Sequence, residues 1–252
     1  MRALLVVLFL LAGLLIGLVY FMPLATILKI AGAEERGLSW MAADGTLAGG
    51  QIRGLRAGTE LLGDGTLKLR PATLLRFGAE YDFSWSGPAG SGTGRAAVFP
   101  GGTIEVRDYA IRFDFAAIDG LALWIRQSGG EARIDGPLIR FRNGECHHAE
   151  GRSTSNALTL NQALLGPGWP EMTGTIGCLG PDLGIPFEAQ SASGTRVDTL
   201  ARFSLRRTGS MEARISGFIP QDFQYALPIA GFVPDGSAFV YRYPAAPSEV
   251  QP

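Results

Sequence analysis

Lysine is nearly missing from this chain: Lys29 and Lys68 are its two, and every other basic side chain is arginine. Histidine occurs twice, as His147 and His148, and cysteine twice, as Cys146 and Cys178. An excess of charge of either sign is missing too, with a formal net charge of −1 over 252 residues. That balance gives nucleic acid no electrostatic footing. Local catalytic patterns are absent as well. There is no Gly-x-Ser-x-Gly elbow for a nucleophile. The Gly-rich stretch Gly87–Gly94 lacks the Lys-Ser/Thr ending of a phosphate loop. Carboxylates are scattered along alternating segments, where they read as solvated surface. The expectation is a protein with no catalytic residues and no cofactor. Cys146-His147-His148, with Glu150 nearby, has the ligand types of a metal site but not the spacings, so no metal is expected there.

What is abundant is apolar sequence at the start and glycine afterwards. Ala3–Met22 carries no charge and is nearly all apolar. A bilayer core of about 30 Å takes about 20 such residues as a helix. Met1 and Arg2 put positive charge ahead of the run, which favours an N-terminus in the cytoplasm. A cleaved signal peptide is the rival reading, with Ala31-Gly32-Ala33 as its small-x-small site. The run exceeds the usual h-region of about 7–15 residues, and Pro23 closes it, so an uncleaved anchor is preferred. Either way the remainder lies outside the cytoplasm. In an oxidising compartment an even cysteine count reads as one disulfide, Cys146–Cys178.

With 35 Gly and 15 Pro, the rest of the chain is not a helical bundle. It breaks into short alternating segments. Tyr81, Phe83 and Trp85 share one face of a strand over 80–86, and Thr103–Arg107 and Ala110–Phe115 alternate likewise. The phase slips at Asp108-Tyr109, which predicts a bulge. Asp44-Gly45 and Asp64-Gly65, each followed by Thr-Leu, read as turns between strands of a meander. Pro71–Phe77 reads as a short helix, 87–94 as a loop, and Asn143-Gly144 as a turn. Segment 121–126 fits helix or strand, and Asn161–Leu165 and Phe223–Leu227 fit short helices. Strands are expected at 131–136, 138–144, 174–178, 187–190, 199–207 and 210–216, with a last turn at Arg207-Thr208-Gly209. The four tryptophans, Trp40, Trp85, Trp124 and Trp169, are far apart and read as core. The tail from Pro244 is Pro-rich and polar, hence disordered. The fold expected is mainly β. An N-terminal transmembrane helix is followed by a curved, mostly antiparallel β-sheet domain with a few short helices. The divisions are 1–28 for the anchor, 29–243 for the sheet domain and 244–252 for the tail.

The opening Trp40…Gly45-Thr46-Leu47…Gly49…Gly54 and the later Cys146…Ala149-x-Gly151…Gly174-Thr175-Ile176-Gly177-Cys178 resemble the protein N family of the bacterial type II secretion system. The likeness implies a single-pass inner-membrane protein with a periplasmic domain. It implies an accessory, scaffolding role with no catalytic residues, and partners among the inner-membrane platform proteins or the secretin. Membrane lipid would be met through Ala3–Met22. A second likeness is to AsmA-like envelope proteins, which also pair a span with a Gly-Thr-Leu-rich β domain. It implies lipid handling along an apolar sheet face. The two differ in whether Tyr81, Phe83, Trp85, Ile111, Phe113 and Phe115 are covered or line an open trough.

Overall fold

Alternation of inward apolar or small residues with outward polar ones runs through most of the chain, and it builds one sheet. The computed structural model describes residues 17, 21–30, 32–34, 37–58, 60–76, 78–118, 121, 123–205 and 209–243. Over these the strands are β1 (Leu38–Ser39), β2 (Ala42–Thr46), β3 (Gly49–Ala57), β4 (Glu60–Leu69), β5 (Ala79–Gly87), β6 (Gly90–Phe99), β7 (Thr103–Asp114) and β8 (Glu131–Arg142). They continue with β9 (Glu145–Ser155), β10 (Met172–Leu179), β11 (Asp182–Gln190), β12 (Thr195–Phe203), β13 (Ser210–Gly217), β14 (Val233–Asp235) and β15 (Ala238–Tyr243). From β3 to β13 each strand pairs with its sequence neighbour, and every described pairing is antiparallel. β1 and β2 lie in line on the free edge of β3 as one interrupted strand. At the other edge β15 pairs with β13, and the short β14, carrying Pro234, closes the sheet. Broken strands and an edge proline leave little template for another chain.

Among the described residues, five short helices decorate this sheet: α1 (Leu24–Ile30), α2 (Leu123–Ser128), α3 (Ala157–Leu160), α4 (Gln162–Leu165) and α5 (Gln221–Ile229). The last four sit in connections that leave β7, β9 and β13 at the same end, called here the capped end. The opposite, open end is closed mostly by tight turns. One is Asn143-Gly144, with positive φ at both residues (51° and 80°), the demand of a two-residue hairpin turn. Pro71–Arg76 forms a 3-10 turn there.

Two buried apolar clusters lie on the concave face of β7–β15. At the capped end Trp169, Ile219, Leu227 and Phe232, from the long connections, cover Phe187, Ala189, Val197 and Ile215 of the sheet. Toward the open end Tyr109, Ile134, Ile139, Phe141, Ile176 and Leu183 form a second cluster. Each fully buried aliphatic side chain contributes about 1.5–3 kcal/mol. The second cluster needs no helix over it, because the sheet curls on itself. Phe141 on β8 and Phe203 on β12 are four strands apart, about 19 Å along a flat sheet. Their ring centroids are 6.3 Å apart.

Several segments differ from the sequence reading. Asp44-Gly45 and Asp64-Gly65 lie inside β2 and β4, not at turns. Asp44 pairs with Arg53 on the neighbouring strand. Asp64 Oδ1 accepts from Gly54 N at 2.9 Å, holding a bulge in β3 where Gly54 has φ 61°. The loop expected over 87–94 is a two-residue turn, and Gly90–Gly94 belongs to β6. The two strands expected at 131–136 and 138–144 are one, β8, irregular on its β9 side between Asp135 and Leu138. The bulge at Asp108 is present, with φ 45°. Segment 121–126 enters a helix, α2, at Leu123, and β9, β14 and β15 add strands the alternation did not reveal.

No helix among the described residues is long and apolar enough to cross a membrane. The transmembrane helix expected at Ala3–Met22 falls outside them except at Gly17, Phe21 and Met22. The tail 244–252 and most of the turn at 207–209 also fall outside them.

Candidate functional site

The concave face changes character along the sheet. On β5, Tyr81, Phe83 and Trp85 point inward and are each half-buried. Opposite them in the ladder stand Ala96, Gly94 and Gly92 of β6. A Cβ at Gly94 would fall 2.9 Å from the Phe83 ring, and one at Gly92 would run into the Trp85 indole. The glycines thus form a floor on which two aromatic rings lie down, which is why a Gly-x-Gly-x-Gly stretch is strand here and not loop. Trp85 also meets Phe113 across β6, with centroids 6.1 Å apart.

The same device recurs at the bend. Tyr109 is 1% exposed, and its hydroxyl donates to Glu150 O at 2.8 Å. The ring crosses Gly136 and Gly151, where a Cβ would collide with its hydroxyl. Burial, and after it the charge of Asp135, pushes the Tyr109 phenol up to about 12. Next to it Ser153, also buried, donates across Gly174 to Pro186 O.

Of the six residues that separate an ordinary core from an open trough, Ile111 and Phe113 pack on the second cluster and Phe115 on the first. Tyr81, Phe83 and Trp85 remain half-buried over the glycine floor. The face is therefore stepped, filled on one side and shallow on the other, and gives no support to a continuous lipid trough.

Cys146 and Cys178 are joined, with Cα atoms 5.5 Å apart. They link the start of β9 to the end of β10 at the open end, inside the second cluster. His148 Nε2 lies 2.9 Å from Glu150 Oε1, while His147 is exposed. Among the described residues no group of three or more His, Cys, Asp or Glu could hold a metal ion. Trp169 is buried and donates to Leu165 O at 3.2 Å, fixing α4 to the core, and Trp40 is half-buried. The side chain of Trp124 lies outside the described residues.

On the convex face, arginines and carboxylates interleave across strands. Glu105 on β7 is the most buried of these acids. It accepts from Arg140 Nε on β8 at 2.7 Å and from Arg107 Nε at 2.9 Å. Burial pushes its carboxyl up, but the hydrogen bonds from Arg140 and Arg107 and their charges outweigh burial and hold it below its ordinary value. Arg112 and Arg133 flank Glu131, and Arg152 faces Asp135. Arg196 pairs with Glu188 and Asp198, and Arg242 with Glu212. The guanidinium fork suits such two-acceptor geometry, which lysine does not offer. Most of these pairs are exposed and each contributes at most about 1 kcal/mol. They bind strand to strand; they do not converge on a pocket.

Exposed apolar side chains gather at the two ends of the sheet, and Met41 is exposed at its edge between β1 and β2. At the capped end Phe218, Tyr225 and Ile229 are exposed around α5. At the open end Val98, Leu179, Phe203 and Tyr243 are exposed. In the sequence all of these look like ordinary strand or helix positions, so no local signal marks them.

No curated protein and no solved structure matches the chain. The family model for type II secretion system (T2SS), protein N matches residues 36–240, which takes in the sheet from β1 into β15 and both cysteines. With most of its length matched, the chain belongs to the type II secretion system protein N family.

Proposed function

We propose that this protein is a scaffold of the type II secretion machinery. A single N-terminal span at Ala3–Met22 would hold it in the inner membrane, and its sheet domain would stand in the periplasm. The observation that carries the reading is the family match over residues 36–240. Membership makes the protein an accessory component of secretion, and the family is not a known enzyme family. The geometry is in keeping with that role. Many acids and arginines pair across or along strands of the convex face, and apolar side chains are exposed at the sheet's two ends. Such surface supports binding. The partners proposed are the inner-membrane platform proteins or the outer-membrane secretin.

Cross-linking the full-length protein in native membranes and identifying what co-isolates tests this. Secretion-system components are the expected catch. Their absence, under conditions that capture another inner-membrane complex, overturns the assignment.

A further inference from the structure

The N-terminal segment meets the sheet with no linker. Leu47 N donates to Met22 O at 3.1 Å, and Pro23 bridges to Thr46. From there α1 runs over the concave face, with Leu24 packed on Gly50, toward the capped end. Near that end Leu38 N donates to Ala33 O and Gly58 N to Gly37 O. Phe21 and Met22 therefore leave the sheet on the side of the open end. Gly17 is helical, and Phe21 N donates to its carbonyl at 3.0 Å. Phe21 itself is 72% exposed.

Ladder register places the exit point. Thr46 pairs with Gly49, and the row continues through Lys68 and Asp82 to Arg95. Val98 lies three residues further along β6, about 10 Å nearer the open end. β6 thus projects past the point where the apolar run ends, while Phe203 and Tyr243 lie within one residue of the same row, which runs on through Arg107, Leu138 and Glu150 to Gly184, Arg202 and Ser210. This end is not polar. Val98 is 51% exposed, Phe203 46% and Tyr243 41%, all three on the concave side. Leu179 is exposed on the other side of the same end, and the exposed Arg142 and Arg202 flank it.

We propose that the open end of the sheet rests on the bilayer surface around the exit of the N-terminal run. Val98, Phe203 and Tyr243 then sit in the headgroup layer, and Arg142 and Arg202 reach phosphate. Exposed aromatic and aliphatic side chains with arginine beside them are the composition of an interface anchor. The capped end, with its own apolar patch, then points away from the membrane and stays free for protein partners. This rests on the proposed membrane span.

The test uses the full-length protein in vesicles of phosphatidylethanolamine and phosphatidylglycerol. Cys146 and Cys178 are joined, so single cysteines at V98C or Y243C, and at L160C or I229C of the capped end, take an environment-sensitive fluorophore selectively. The expected result is a blue-shifted emission at Val98 and Tyr243, quenched by nitroxide lipids, with red, unquenched emission at Leu160 and Ile229. Equal, water-like emission at both ends, or quenching at the capped end alone, overturns the proposal. Alkaline extraction of the same vesicles separates the two failures. Protein released by alkali refutes the span, and protein that is retained but unquenched refutes only the contact of the open end.

Discussion

The two flanks of the sheet are stabilised by opposite means. β8–β15 bury aliphatic and aromatic side chains under helices supplied by long connections, and a disulfide ties β9 to β10. β4–β6 have neither. Their inner face is an aromatic strand lying on a glycine strand, half-open to solvent. Glycine inside a strand, ordinarily a weakness, becomes a packing surface when a neighbouring strand carries the rings to fill it. One flank is held by covering layers, the other by side chains folded flat within a single layer.

The disulfide is the largest lever on that contrast. Reduction, or replacing both cysteines with serine, should cost about 3–4 kcal/mol for a closed loop of this length. Hydrogen exchange should show the loss in β8–β11 and leave β4–β6 protected. Uniform loss across both flanks would mean that they are one cooperative unit.

Matched substitutions sharpen it further. Leu227→Ala removes a side chain 2% exposed and should cost about 2–4 kcal/mol by denaturant melting. Gly92→Ala adds one methyl where the Trp85 indole lies, and should cost about 1–3 kcal/mol through overpacking. If Gly92→Ala is neutral while the tryptophan fluorescence is unchanged, the glycine floor is not a packing surface.

The smallest effect is electrostatic. Glu105 is held below its ordinary carboxylate range, so its stabilisation is full above that range and is lost as pH falls through the depressed value. Glu105→Gln should lower stability by about 1 kcal/mol at neutral pH, discounted for the solvent on both arginines. It should also flatten the acid limb of the Tm profile. Tyr109 has the reverse sign. Its phenol is raised from 10.0 to about 12, so its contribution holds below pH 10.0 and is lost as pH climbs toward 12. Tyr109→Phe should remove that alkaline loss.

Much of the fold was legible because alternation survives wherever side chains are large. β5, β7 and the bulge at Asp108 follow from Tyr81, Phe83 and Trp85 and from the slip in phase at Tyr109. β9 was not legible. Its inward positions include Cys146, Ala149, Gly151, Ser153 and Ser155, small side chains that make room for Tyr109 and for neighbouring strands, so no hydrophobic period is written there. Gly90–Gly94 misled for the same reason, since its partner's rings supply the bulk. The Asp-Gly pairs misled because their aspartates serve a cross-strand arginine and a bulge. The exposed apolar tips carried no signal, because exposure is set by where a strand ends relative to its neighbours, and that is a property of register.

Register also sets the order in which the sheet can be made. From β3 to β13 every strand finds its partner in the strand just before it. A chain emerging N-terminus first can therefore zip up one hairpin at a time, with no strand waiting for a distant mate. Loop closure stays cheap at each step, and local pairing of this kind favours fast folding. The short separation of Cys146 and Cys178, 32 positions along the chain, brings the second thiol into reach as soon as β10 emerges. The bond can lock that hairpin before the long C-terminal connection arrives to cover it. Speed of assembly, in a compartment where a half-made sheet edge invites aggregation, is what a plain meander provides.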